Sequence, residues 1–410
     1  MCKQTCWSGV TRVTRPGTAL QPGRTRTDRE ADLNKRIVGI VSGTRPEIIK
    51  LAPVYHALRR HEDLCVLWVH TGQHGEMAAD MLRCFGITPD EQLGRGGASL
   101  EEFSVACRQQ LDALMARQKW DMCIVQGDTE SAFLGALAAF YRRIPVGHVE
   151  AGLRTYNLER PFPEEGLRQM ISRIADIHWA PTERARAALL SEGIAPAKIE
   201  MTGNTVVDAQ QWVSERFAIR REGAAADGHI LVTAHRRENW GEEMEQTFHA
   251  VADIARAFPG KRVLFPVHLN PVVQKPAHAI LAGLDNVRLV APFDYLEMQQ
   301  ALVNASLLLT DSGGLQEEAP TFGVPTLVLR HETERPEAVE AGCARIVGPK
   351  REAIVREATR LLADPAAADA MRKVANPFGD GQASRRIAQA VLARLVPHTE
   401  TETEEAALAA

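Results

Sequence analysis

From Arg36 onward, short runs of β-branched and apolar residues alternate with segments of helix length. Few folds satisfy that alternation, because apolar strands joined by helical crossovers lie parallel in α/β sheets with both faces covered. Strands are predicted at 37–41, 64–69, 122–126, 144–149, 178–180 and 199–202, and again at 230–234, 263–267, 287–290, 307–310 and 325–329. The break near Gly203 divides the pattern. The expected fold class is α/β, with two doubly wound parallel-sheet domains, residues 36–202 and 203–378, facing a central cleft. A terminal helix within 379–397 is expected to cross back to the first domain.

Composition enters where it excludes functions. The 410 residues are 45% hydrophobic and 24% charged, enough for two sizeable cores. A net charge of -4 leaves no nucleic-acid footprint, and the most apolar run, 133–141, is far shorter than a bilayer crossing requires. The seven cysteines have no paired metal-ligand spacing, which points to reduced thiols in the cytoplasm. Residues 1–35 are rich in Arg, Thr, Gly and Pro and lack the apolar core of a secretory signal, so a disordered basic arm is expected there. Residues 398–410 are expected to form an acidic solvated tail.

Arg45, His70, Asp128, Glu150, His235, His268 and Ser312 all fall at the carboxyl ends of predicted strands. In open α/β sheets ligands bind along that edge. The stretch HVEAGLRTYNLERPFPEE, 148–165, gathers four carboxylates, two arginines and a histidine behind one strand. Glu150 there is either an acid or base for chemistry, or a helix cap or partner of Arg154. Arg45 and Lys50 stand near a helix amino terminus that already favours anions. Asp311-Ser312-Gly313-Gly314 joins a strand to a helix; its glycines let backbone amides approach a diphosphate, and Glu318 follows one turn later. The same turn also suits a tight bend without ligand. His235-Arg236-Arg237-Glu238 offers an anion anchor and proton donor, or a histidine satisfied by the backbone beside solvated arginines. His70 and His74 have the spacing of a metal pair but lie in a glycine-containing loop with no third ligand in view. No GxGxxG fingerprint follows a strand, which disfavours nicotinamide chemistry.

Together these residues resemble the bacterial non-hydrolysing UDP-N-acetylglucosamine 2-epimerase family. The motifs are GTRPEIIKLAPV at 43–54, GDT at 127–129, IPVGHVEAGLR at 144–154, PFPEE at 161–165 and TGNTVVDA at 202–209. HRREN at 235–239, PVHLNP at 266–271, TDSGGLQEEAP at 310–320 and TERPEAVEAG at 333–342 complete the set. The resemblance implies a GT-B-like fold and the interconversion of UDP-N-acetylglucosamine and UDP-N-acetylmannosamine, through elimination of UDP to a 2-acetamidoglucal and its re-addition. It implies Asp128, Glu150 and Glu164 as acid/base carboxylates, and Arg45, Lys50 and His235 as supports for the leaving diphosphate. Ser312, Gly313, Gly314 and Glu318 match phosphate and ribose contacts, Arg335 a further substrate contact, and Met298 replaces a Phe near the uracil. No metal or other cofactor is implied, and a homodimer is. A 2-epimerase of a UDP-2,3-diacetamido uronic acid sugar shares these motifs. A GT-B glycosyltransferase shares the fold without needing three carboxylates in the first domain.

Bacterial members of the family it resembles often carry a second nucleotide-sugar site, whose lining Gln73, Glu165 and His268 match. Gly75, Glu76 and Ser99 stand where arginine, glutamine and arginine are usual. Two missing cations beside a diphosphate weaken such a site. Substrate activation is therefore expected to be slight or absent: initial rates against substrate should follow a hyperbola, and strongly sigmoidal kinetics would contradict this.

Overall fold

The protein is described by a computed structural model covering residues 35–396. Apart from Lys35, the basic arm lies outside the described residues, as does the acidic tail. The first half runs β1 (Arg36–Ser42), α1 (Arg45–Leu58), β2 (Leu64–His70), α2 (Glu76–Cys84), β3 (Glu91–Gln92), α3 (Leu100–Arg117), β4 (Met122–Gln126), α4 (Glu130–Tyr141), β5 (Val146–Val149), α5 (Glu164–Ile174), β6 (Ile177–Ala180), α6 (Glu183–Ser191), β7 (Ile199–Met201) and α7 (Thr205–Phe217). The second runs β8 (His229–Thr233), α8 (Glu242–Ala257), β9 (Val263–Pro266), α9 (Pro271–Leu281), β10 (Val287–Val290), α10 (Tyr295–Val303), β11 (Ala305–Thr310), α11 (Gly313–Glu318), β12 (Thr326–Val328), α12 (Pro336–Ala341), β13 (Ala344–Ile346), α13 (Arg351–Ala363), α14 (Pro365–Arg372) and α15 (Ala383–Leu395).

The strands form two sheets, ordered β3-β2-β1-β4-β5-β6-β7 and β10-β9-β8-β11-β12-β13. Every described pairing is parallel. This agrees with the two-sheet α/β architecture read from the alternation of strands and helices. Each sheet reverses its strand order once, between β1 and β4 in the first and between β8 and β11 in the second. Loops diverge at such a point and leave a crevice for ligands. The register sharpens it: Ser42 pairs with His70, and Gln126 with Val149, so the loops leaving these strands start side by side.

Local chemistry starts the helices where the site needs them. Thr44 and Glu47 form a capping box at the head of α1, with Pro46 in its first turn, where no amide partner is lost. Apolar side chains of α1, α7, α10 and α15 share one core, including Ile48, Val206, Tyr295 and Ile387, and it runs beneath the seam between the sheets. The last helix is fastened by polar bonds as well. Asp208 on α7 accepts from the backbone of Ala383 and Ser384 at 3.2 and 2.8 Å, capping α15 from outside. At the other end Arg36 donates to the Leu395 carbonyl at 3.1 Å.

Gly39 lies mid-strand in β1 against the Trp120 ring, where a Cβ would fall 2.1 Å from the indole. The indole is buried and cannot retreat cheaply. Gly39→Ala is expected to destabilise the fold by about 1–3 kcal/mol, read as a lower urea midpoint at an unchanged slope.

Candidate active site

Each crevice carries charges of both signs. In the first, α1 begins at Arg45, and one turn later Lys50 is almost wholly buried. Behind them Glu47, with no exposed surface, accepts from the Gly43 and Thr44 amides at 3.0 and 2.7 Å and from the Thr129 hydroxyl at 2.7 Å. One buried carboxylate thus ties the loop after β1 to the loop after β4. Burial outweighs those donors and pushes the Glu47 carboxyl up to about 7.

Glu150 ends β5 with φ 60°, a left-handed backbone that a residue with a Cβ rarely adopts. Strain of that kind persists where the surroundings over-determine it. Here the Gly127 amide donates to the Val149 carbonyl at 3.0 Å and Gly127 itself takes φ 71°. The Glu150 carboxylate meets Lys50 Nζ at 2.5 Å, Gln126 Nε2, and Asn204 Nδ2 at 3.4 Å. The local alternative of an Arg154 partner fails, because Arg154 forms a two-pronged pair with Glu192. Asp128 pairs with Arg168 of α5. Glu164, half-buried at the head of α5, makes no polar side-chain contact with Asp128 or Glu150 among the described residues.

The second crevice combines arginines and glutamates with the glycine turn at 312–314. A cavity of about 600 Å³ is lined by Arg45 and Lys50 from the first half and by His235, Arg236, Met298, Ser312, Gly313, Gly314, Glu318 and Arg335 from the second. Asp311, fully buried, accepts from the His235 and Arg236 amides at 2.7 and 2.8 Å and lies 3.3 Å from His235 Nδ1. Burial would raise that carboxyl, but the hydrogen bonds and the ring charge of His235 hold it below the usual range. His235 is therefore oriented by a carboxylate. The alternative of a backbone carbonyl partner does not apply to its ring.

Two adjacent glutamates on α11 part company. Glu318 accepts from Gln299 at 2.5 Å, and burial, with the charge of Glu317 adding to it, pushes its carboxyl up to about 7. Burial acts the same way on Glu317, yet Arg335 and Lys50 hold it below the usual range. Glu317 touches Lys50 Nζ at 3.0 Å and pairs with Arg335. Sequence reasoning missed it, together with Arg168 and Asp311. Asp311 stands at a strand end and was findable; the other two sit inside helices, where a charged residue carries no such signal.

The residues matched to a second nucleotide-sugar site do not form a cluster of free groups. Gln73 bonds the Ser131 hydroxyl at 2.6 Å. Glu165, without exposed surface, accepts from the Thr155 and Tyr156 amides at 2.9 and 3.0 Å. His268 lines the main cavity, its ring stacked on His235 with centroids 5.8 Å apart. The His70 ring is engaged through Nε2 with the His74 carbonyl at 3.3 Å.

Such a cleft can hold an anionic phosphate group on one wall and move protons on the other. Comparison with known proteins gives the same direction. The family model described as UDP-N-acetylglucosamine 2-epimerase matches residues 56–392. The UDP-N-acetylglucosamine 2-epimerase of Escherichia coli strain K12 is 45% identical over 368 residues, covering 86% of this chain and 97% of that one. The crystal structure of UDP-GlcNAc 2-epimerase from Neisseria meningitidis bound to UDP-GlcNAc matches with TM-score 0.78 at 39% identity, covering 88% of this chain and 100% of that chain. The glycotransferase of kitacinnamycin, at 14% identity and TM-score 0.58 over 88% of this chain and 99% of that chain, shares the fold alone.

Glu47 makes the site's burial measurable. Its carboxyl sits at about 7 in the fold against an ordinary 4.5, so the fold takes up this proton between those values. The stabilisation is complete below the lower value and is lost as pH rises through the upper one, an effect on the order of 3 kcal/mol at ~1.36 kcal/mol per unit. Glu47→Gln keeps the shape without the charge and should flatten that loss relative to the native chain. Denaturation midpoints followed from about pH 5 to 8 test this; parallel curves would show that Glu47 does not titrate there.

Proposed function

We propose that this chain, which belongs to the UDP-N-acetylglucosamine 2-epimerase family, interconverts UDP-N-acetylglucosamine and UDP-N-acetylmannosamine without hydrolysing either. The C2 proton of the sugar has no adjacent carbonyl and is not acidic, so direct abstraction is closed. Elimination opens the route. A carboxylate takes the C2 proton, the C–H electron pair forms the C1–C2 double bond, and the C1–O bond breaks with its pair leaving on UDP. In the return step a UDP oxygen adds to C1 of the 2-acetamidoglucal while a proton reaches C2 from the other face.

Asp128, Glu150 and Glu164 are the proposed acid/base carboxylates. Two proton carriers on opposite faces are what the return step demands. Arg45, Lys50 and His235 steady the departing diphosphate, with the amides of Ser312, Gly313 and Gly314 beneath it and Arg335 beside it. Glu318 takes the ribose diol and Met298 offers an apolar face to the uracil. One observation carries the proposal. Lys50 Nζ lies 2.5 Å from Glu150 and 3.0 Å from Glu317, so the charge meant for the leaving group adjoins a proton carrier.

The engagement of Gln73 with Ser131 of α4, and of Glu165 with the Thr155 and Tyr156 amides, supports weak regulation by substrate. Lobes at 36–202 and 203–378, a homodimer and a cytoplasmic location complete the proposal, the homodimer carried by family resemblance and the location by the cysteine pattern. Among the described residues no helix is long and apolar enough to cross a membrane.

Incubation with UDP-N-acetylglucosamine alone, in deuterated water, tests the function. Expected is a second isomer carrying deuterium at C2. Free sugar with UDP would identify a hydrolase instead, and no change without an acceptor would favour a transferase or a non-catalytic nucleotide-sugar binder. Asp128→Asn, Glu150→Gln and Glu164→Gln should each cut turnover by about a hundredfold or more with the fold intact; near-native rates in all three would remove the carboxylate assignment.

A further inference from the structure

Four charges, two buried and two partly buried, run in alternation across the cleft. Glu150 at the end of β5 meets Lys50 of α1 at 2.5 Å, Lys50 meets Glu317 of α11 at 3.0 Å, and Glu317 pairs with Arg335 at the head of α12. Glu317 is 2% exposed and Lys50 9%. Both cations are thus neutralised from within the chain. Burial alone would drive the Lys50 ammonium down, but Glu150 and Glu317 hold it above its ordinary range. Glu317 follows the Ser312–Gly314 turn by one helical turn, so any diphosphate seated there meets the cations that this carboxylate occupies.

We propose that Glu317 is a positioning residue acting through Lys50: it holds the ammonium between the proton carrier Glu150 and the diphosphate site, and it keeps the cleft's affinity for UDP below what its cations alone would give. This rests on the epimerase reading above. A reversible elimination needs both properties. UDP bound too tightly as a ground state adds nothing to the rate, because only interactions stronger in the transition state accelerate the step. An ammonium lacking its second carboxylate would settle on Glu150 and occupy the group that must exchange a proton. With Glu317 present the ammonium is shared, and the negative charge appearing on the departing diphosphate can draw it across.

Glu317→Gln separates this role from simple support of the fold. The amide fills the same volume and its oxygen still accepts from Arg335. Expected are UDP binding tighter by about threefold or more, measured by titration calorimetry without sugar, and kcat lower by about tenfold or more. A structural lesion would weaken both together. Glu317→Asp keeps the charge on a shorter stem; it should bind UDP near the native value and recover part of kcat, and it serves if the glutamine variant fails to fold. UDP affinity unchanged or weaker in Glu317→Gln, or kcat within about twofold of native, would overturn the proposal, as would an aspartate variant that binds UDP as the glutamine variant does. The calorimetric comparison needs no turnover, so absence of isomerisation by the native chain would defeat the functional reading while leaving this one open to judgement.

Discussion

A buried ammonium is tolerated only where its charge is answered, and Lys50 is answered from both halves of the molecule. An isolated charge at that depth would lose several kcal/mol of solvation. Glu150 alone would compensate part of it in the first half, and Glu317 brings the remainder across the cleft. The apolar core under the seam joins α1, α7, α10 and α15 without specifying fine alignment, since apolar burial is non-directional. The charge chain is directional. Lys50 thus helps to set the register between the sheets, together with directional bonds such as that from the Thr182 hydroxyl to Glu337 at 2.8 Å.

The scaffold also bears local strain there. The left-handed backbone of Glu150 costs on the order of 1–3 kcal/mol, and it ends a strand hydrogen-bonded on both sides, between β4 and β6. Relaxing the residue would aim its carboxylate away from Lys50 and Gln126, so the contacts and the strain maintain one another. Glu47 does comparable work behind the surface. Its three donors lie on two loops, and a small rotation of either would strand a buried hydrogen-bonding group at a cost of about 1–3 kcal/mol.

Much of this was legible in the sequence, for an identifiable reason. Strands of a doubly wound sheet are apolar on both faces, so the eleven runs predicted from 37–41 to 325–329 all fall within or overlap observed strands, β1 to β2 and β4 to β12. β3 and β13 were missed because Glu91–Gln92 and Ala344–Ile346 are too short and too polar to interrupt their surroundings. Residues closing a strand, such as Arg45, Asp128, Glu150 and Ser312, announce themselves because apolar periodicity stops there. Partners do not. Arg154 was the nearest cation to Glu150 along the chain, but the chain turns after Gly152 and carries it to Glu192. Lys50 reaches Glu150 from one hundred positions away. Which side chains meet across two sheets depends on a register that no local pattern encodes, and Glu317, inside the short helix α11, reads as any other acidic residue.

Glu317 and Glu318 show how little sequence separates two electrostatic tasks. Successive helical residues point about 100° apart, so one carboxylate faces Lys50 and Arg335 while its neighbour faces Gln299. Burial raises both. The cations reverse the effect for Glu317 and leave Glu318 at about 7, and each ionised neighbour makes the other harder to ionise. When environments drive two adjoining carboxyls apart, roles divide with them. Near neutrality the charge stays concentrated at the cations beside the diphosphate turn. Glu318, proposed above for the ribose, then carries a carboxyl poised between its two forms, able to donate as well as accept, which suits a neutral diol.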